Sequence, residues 1–162
     1  MEEKLIKNFN KQINHEFHSA YLYFAMSTYF SEIAMFGFSD FMKHKASEKL
    51  NCAQKIYDYI ILRDEKLTFS KIEEPQVNWI NVSDIFSSAL IHEEFMLEQT
   101  KELYNIARES DDIGAMEFIS EIISEQIKKI GCFKKISYRI KSSNIISTNI
   151  DILDNKINNF SF

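Results

Sequence analysis

The feature that most constrains the fold is an apolar stripe that recurs on four long segments of the chain. Between residues 42 and 60 its members follow spacings of four and three: Met42, Ala46, Lys49, Ala53, Ile56 and Ile60. Such spacing places them on one face of an α-helix. The chain has only 3 glycines and 1 proline in 162 residues, which favours long helices over turn-rich β structure. The sequence therefore predicts an all-α protein.

The stripes predict four long helices and one short helix in a single domain of residues 1–162. The long helices are expected at about 3–32, 38–64, 83–110 and 112–141, and the short one at about 146–158. Gly37 is expected to mark the turn into the second helix. The second connection has roughly 17 residues and reaches about 56 Å when extended, more than the ~42 Å of a 28-residue helix. We therefore predict a four-helix bundle with one long crossover.

Composition and charge exclude several classes of protein. The net charge of −5 does not favour binding to nucleic acid or to an anionic membrane. No apolar run approaches the ~18 residues of a membrane span, and the first residues lack the apolar core of a signal peptide. Two cysteines provide no disulfide framework. These features predict a cytoplasmic protein.

One level of the predicted bundle is polar on all four helices. Its members are Glu16, Lys49, Glu93, Gln126 and Lys129. Each of them alone is more simply a satisfied core residue, but a buried charge costs several kcal/mol unless it is paired or coordinated. Bundles of this kind hold two metal ions with carboxylates and Glu-x-x-His pairs. A protonated lysine cannot ligate metal, so we predict that Lys49 and Lys129 pair with Glu16 and Glu93 where metal would otherwise lie.

The chain resembles ferritin subunits over essentially its whole length. The motifs that carry the resemblance are Gln12-Ile13-Asn14-His15-Glu16 with Tyr21-Leu22-Tyr23, Glu93 on the third helix, and Glu125-Gln126-Ile127-Lys128 on the fourth. The resemblance implies the ferritin-like bundle, with a fifth short helix, and a hollow homo-oligomer, usually of 24 subunits, that stores oxidised iron. It also implies a diiron ferroxidase site inside the bundle.

The resemblance assigns metal-site roles by position. Glu16, Glu93 and Gln126 match metal-site residues, Tyr23 matches the neighbouring tyrosine, and Glu48 and Glu125 match acidic residues near a third iron site. Lys129 stands at a position that is a glutamate in some bacterial ferritins, where that glutamate helps to bind the third iron. Lys49 stands where the family has its bridging glutamate, and Cys52 stands where it has a histidine. These two changes should cripple ferroxidase chemistry, as in the vertebrate light-chain subunit, which also has lysine at the bridging position.

The resulting prediction is an iron-storage subunit with weak or non-catalytic iron binding. Leu50 occupies the position of the methionine ligand in haem-binding bacterioferritins, so haem is not expected. One alternative is a divergent ferroxidase that uses Glu16, Glu93, Gln126 and Cys52. Another is a structural or partner subunit of a cage with little iron function. In a storage shell, oxidation could proceed by slow autoxidation or on a second ferritin subunit type. A DNA-protecting cage is disfavoured by the tail past residue 144 and the lack of a basic arm.

Overall fold

A computed structural model describes residues 1–143 and 147–159, and the side chains of residues 143–148 lie outside the described part. The helices are α1 (Glu3–Glu32), α2 (Phe36–Leu62), α3 (Val82–Glu109), α4 (Ile113–Ser143) and α5 (Ser147–Lys156), followed by a 3-10 turn (Ile157–Asn159). No strand occurs in these ranges, and none of their helices is long and apolar enough to cross a membrane. The predicted all-α bundle with a long crossover and a short C-terminal helix is confirmed.

The two tight helix connections are made by residues with left-handed backbone conformation. Ala34 has φ 58° between α1 and α2, and Asp111 has φ 52° between α3 and α4. Asp112 then caps α4, because its Oδ1 accepts a hydrogen bond of 2.9 Å from the backbone N–H of Ala115. These short turns make the connected helices antiparallel hairpins, and residues 63–81 form the crossover between α2 and α3.

The sequence predicted Gly37 in the connection before α2. It lies instead within α2, in the first turn of that helix. A Cβ atom at this position would lie 1.8 Å from the backbone oxygen of Asp154 in α5. The backbone N–H of Phe38 also donates a hydrogen bond of 2.6 Å to Oδ1 of Asp154. The glycine is therefore required by the close packing of α5 on α2.

The core consists of two hydrophobic clusters with a polar layer between them. One cluster is rich in aromatic residues, including Phe30, Phe38, Phe86 and Phe133. The other is mostly aliphatic and includes Leu5, Ile56, Leu103 and Ile119, with Phe9. The polar residues follow the same helix faces as the clusters, so folding buries them with the apolar stripe.

Candidate metal centre

The structure brings four of the predicted polar residues together in the middle of the bundle. Glu16, Lys49, Glu93 and Gln126 come from four different helices, and each is at most 2% exposed. Nζ of Lys49 lies 2.9 Å from Oε2 of Glu93, 3.9 Å from Oε2 of Glu16 and 3.4 Å from Oε1 of Gln126. The predicted pairing of Lys49 with both carboxylates is therefore present.

Glu93 is the most heavily hydrogen-bonded member of this layer. Besides the ammonium of Lys49, its Oε2 accepts a hydrogen bond from Nε2 of Gln126, which also donates to the backbone oxygen of Glu93 at 3.1 Å. The hydroxyl of Tyr23 donates to the other carboxylate oxygen, Oε1. Both oxygens of Glu93 are thus already occupied by donors from the protein.

Glu16 is less fully satisfied. Nε2 of Gln12 donates to its Oε1 at 3.0 Å and lies 3.4 Å from Oγ1 of Thr100. Oε2 of Glu16 accepts no hydrogen bond from any residue in the described part of the chain. Gln12 and Thr100 were not among the predicted site residues. Residues four positions apart are neighbours on a helix, so the spacing of Gln12 and Glu16 could have predicted their contact.

The electrostatics of the layer favour an ionised pair. Burial by itself would lower the pKa of Lys49, but the carboxylates of Glu93 and Glu16 outweigh it and the net shift is upward. Burial would likewise raise the pKa of Glu93, but the ammonium of Lys49 and the hydrogen bond from Tyr23 together outweigh it and the net shift is downward. Burial, with Glu93 nearby, raises the pKa of Tyr23 well above its usual range. Lys49 is therefore a cation and Tyr23 a neutral donor at neutral pH.

Lys129 is not part of this layer, so its predicted pairing with the buried carboxylates is wrong. It is half-buried and lines a groove between α2 and α4 together with Glu48, Glu125, Cys52 and other residues. A lysine at the edge of a bundle can cover apolar surface with its stem and keep its ammonium in water, which avoids the cost of burying the charge. Gln126 and Lys129 are three positions apart on α4, yet the first is buried in the layer and the second lies at its edge.

The other predicted site residues lie along that groove. Glu48 contacts Lys45 at 3.0 Å and His44 at 3.2 Å, and Glu125 contacts Lys55 at 3.0 Å. Cys52 is 5% exposed, and burial raises the pKa of its thiol to about 12. Among the residues that the structure describes, no three His, Cys, Asp or Glu side chains are grouped so that they could hold a metal ion.

The fold and the buried layer together define a class of protein. A bundle with a long crossover between its second and third helices, a short C-terminal helix and a polar layer at mid-core is the architecture of ferritin-like proteins. The chain belongs to the ferritin family, because the family's Ferritin-like domain matches residues 6–142.

Known relatives agree with this assignment. The chain is 28% identical to the bacterial non-heme ferritin of Staphylococcus saprophyticus over 134 residues. This aligned region covers 83% of this chain and 80% of that protein. An engineered closed form of Archaeoglobus fulgidus ferritin is 27% identical with a TM-score of 0.96, over 100% of this chain and 99% of that one. The open-pore ferritin from the same archaeon is 28% identical with a TM-score of 0.94, over 96% of each chain.

Proposed function

We propose that this chain is a subunit of an iron-storing ferritin cage whose diiron ferroxidase site is disabled by Lys49 and Cys52. The observation that carries the proposal is the position of the Lys49 ammonium, 2.9 Å from Glu93 and 3.9 Å from Glu16. Iron would have to bind between these same two carboxylates. Because like charges a few ångströms apart repel strongly in a buried site, Lys49 excludes a ferrous ion that would bridge them.

The remaining side chains do not fit a pair of iron ions. Both oxygens of Glu93 accept hydrogen bonds from the protein, and the thiol of Cys52 is held protonated by burial. Only Oε2 of Glu16 is a buried carboxylate oxygen without a hydrogen-bond donor in the described part of the chain. Cys52 supplies neither the imidazole nor, at neutral pH, the thiolate that would ligate iron. We therefore expect iron, the cargo, to bind this layer weakly and without rapid oxidation.

Iron is expected to bind only weakly at the groove as well. Glu48 and Glu125, which the resemblance places near a third iron site, are each in an ion pair with a lysine. A cation would have to displace these ammonium groups. Leu50 offers no ligand, so the proposal includes no haem.

The assembly is proposed to be a homo-oligomer, most simply the 24-subunit cage that the family resemblance implies, in the cytoplasm. Large apolar side chains are exposed on α1 and along the crossover, as expected for surfaces that subunit contacts cover. They are Tyr21, Phe24, Phe69, Val77 and Ile80. A second ferritin subunit type in the same shell remains an alternative source of iron oxidation.

One observation favours a second candidate function, a divergent ferroxidase. Buried polar atoms are normally hydrogen-bonded, so Oε2 of Glu16, which accepts no hydrogen bond within the described part of the chain, is an exception that a bound cation would explain. In this alternative, Glu16, Glu93, Gln126 and Cys52 form the ligand set. For this site to oxidise iron, the metal would have to bind close to the ammonium of Lys49 in the same layer.

The deciding experiment is the rate of Fe(II) oxidation, measured as oxygen consumption, by the iron-free purified protein. It is compared with Lys49→Glu/Cys52→His, which returns the bridging glutamate and the histidine of the family. We expect the natural protein to be close to the buffer background and the double variant to be faster. The matched control is Lys55→Glu, which makes the same charge change at a lysine whose ion pair with Glu125 is half-exposed.

Two outcomes would contradict the proposal. The first is rapid oxidation by the natural protein that collapses in Glu16→Ala, which would establish the divergent ferroxidase. The second is a natural protein that accumulates no iron when a catalytic ferritin subunit is supplied in the same shell. That result would favour a purely structural subunit.

A further inference from the structure

The groove between α2 and α4 has an unusual charge balance. It has a volume of about 390 Å³, and its charged lining residues are Lys45, Lys55, Lys128, Lys129, Glu48 and Glu125. Four lysines face two glutamates, so the groove carries a net charge of +2 in a protein whose total charge is −5. The local field is therefore opposite in sign to the charge of the whole chain.

Both carboxylates of the groove are already neutralised. Nζ of Lys45 lies 3.0 and 3.2 Å from the two carboxylate oxygens of Glu48, and Nζ of Lys55 lies 3.0 Å from Oε1 of Glu125. Within the described part of the chain, no such contact involves Lys128 or Lys129. The groove thus offers two ammonium groups whose charge is not matched by a carboxylate.

We propose that this groove binds a small tetrahedral oxyanion, of which inorganic phosphate is the representative, through Lys128 and Lys129. Each ammonium provides three N–H donors and no acceptor, which suits the oxygens of an oxyanion. The side-chain amide of Asn51, which also lines the groove, adds a neutral donor. Cys52 and Cys132 also line the groove. Their thiols are buried and bring no negative charge that would repel the anion.

An oxyanion is opposite in charge to the iron ion that the family resemblance places near Glu48 and Glu125. A divalent cation in the groove would have to break two ion pairs and lie close to two further ammonium groups. An oxyanion leaves both ion pairs intact. Binding of the anion does not depend on iron storage, so it can be tested separately from the proposed function.

The test is equilibrium dialysis of inorganic phosphate against the full-length, iron-free protein at neutral pH and low ionic strength. We expect the natural protein to bind phosphate with an affinity that falls as salt is added, because these charges are accessible to solvent. Lys128→Gln/Lys129→Gln should weaken binding about tenfold or more, since it removes both unmatched charges. The matched control Lys66→Gln/Lys141→Gln removes the same two charges at exposed positions outside the groove and should bind as the natural protein does.

A second arm uses Co²⁺ as the probe for a cation. Lys129→Glu lowers the charge of the groove from +2 to zero and should lose phosphate binding. The proposal is overturned if the natural protein does not bind phosphate at millimolar concentration, or if the groove variant and its control lose binding equally. It is also overturned if the natural protein binds Co²⁺ in the groove, with loss of binding in Glu48→Gln/Glu125→Gln. Thermal melting of each variant verifies that it is folded.

Discussion

The residue that defines the centre of this protein is Lys49. The residue is 1% exposed, and its ammonium lies between the carboxylates of Glu93 and Glu16 and forms ion pairs with both. A buried ion pair is weak evidence for stability, because desolvation offsets much of the attraction. Removing one partner is different, since the other charge is then left buried and unpaired.

Substitution of Lys49 by methionine should therefore destabilise the fold. We expect Lys49→Met to lower the free energy of unfolding by about 3–5 kcal/mol at neutral pH, since Glu93 would lose its cation. Urea denaturation of the metal-free protein measures this loss. The deficit should shrink in Lys49→Met/Glu93→Gln, which removes the unpaired charge as well.

The control for this experiment is Lys55→Met. Lys55 forms an ion pair with Glu125 in which both side chains are about half exposed. Such a pair contributes about 1 kcal/mol or less. If Lys49→Met raised the melting temperature in metal-free buffer, the pairing that we describe would not stabilise the protein.

At the scale of elements, the junctions between helices depend on a few side chains. Arg63, just after α2, donates hydrogen bonds of 3.1 and 2.8 Å to the two carboxylate oxygens of Asp112, just before α4. The same Asp112 caps α4. One carboxylate thus joins the start of the crossover to the beginning of the fourth helix.

Replacing Asp112 should weaken this junction in a pH-dependent way. We expect Asp112→Ala to cost about 1–2 kcal/mol, the usual value for a lost N-cap. Hydrogen bonds from Arg63 hold the pKa of Asp112 below its usual range. Its contribution is therefore fully present above its unfolded pKa of ~3.9 and is lost as the pH falls through the lower folded value. Urea titrations at several pH values should show that the difference in unfolding free energy between the natural protein and Asp112→Ala decreases only below about pH 4.

The control for the junction is Asp40→Ala, because Asp40 forms an exposed ion pair with Lys43. It should change stability by less than about 1 kcal/mol at any pH. A deficit in Asp112→Ala that stayed constant down to pH 2 would show that the charge of this carboxylate is not what stabilises the junction.

Two helical glycines provide a matched test of how α5 packs. A Cβ at Gly37 would overlap the backbone of Asp154, whereas at Gly131 it would meet no atom within 4 Å. Gly37→Ala should displace α5 and cost about 1–3 kcal/mol. Gly131→Ala should stabilise the protein by about 0.5–1 kcal/mol, because alanine is the better helix former.

Thermal melting and amide hydrogen exchange measure both glycine effects. In Gly37→Ala the amides of α5 should exchange faster, while those in the middle of α4 stay protected. Equal stability of the two alanine variants would mean that the contact between α5 and α2 contributes nothing to the folded state.

At the scale of the whole molecule, the exposed apolar side chains predict assembly. Tyr21 is 53% exposed and Phe24 is 44% exposed on the outer face of α1. A chain of 19.1 kDa in a 24-subunit shell would give a particle of about 460 kDa. We expect light scattering after gel filtration to find a particle of this order.

Charges on that face should disrupt the particle. Tyr21→Lys/Phe24→Lys should shift the mass towards small oligomers, because buried unpaired ammonium groups oppose association. Circular dichroism should show that the helices of this variant remain formed. A natural protein that is monomeric at all concentrations would contradict the proposed cage.

The sequence by itself determined the helices, the long crossover and most of the buried layer. Periodicity states which side of a helix faces the core, so Glu16, Lys49, Glu93 and Gln126 could be identified before any partner was known. The same reasoning failed for Lys129, because its position is on the edge of the stripe. Whether such a residue is buried depends on how closely the neighbouring helix approaches.

Only the tertiary structure decided which groups meet. The distance from Lys49 to Glu93 is shorter than its distance to Glu16, and one oxygen of Glu16 accepts no hydrogen bond from the described residues. Among the same residues, Lys128 and Lys129 of the groove have no carboxylate partner. All of these features depend on the register between helices that are distant in sequence. Gly37 is a similar case, since the atom that excludes a side chain there belongs to α5, 117 residues later in the chain. Local patterns encode the direction of a side chain, whereas distances between helices are set by the packing of the whole core.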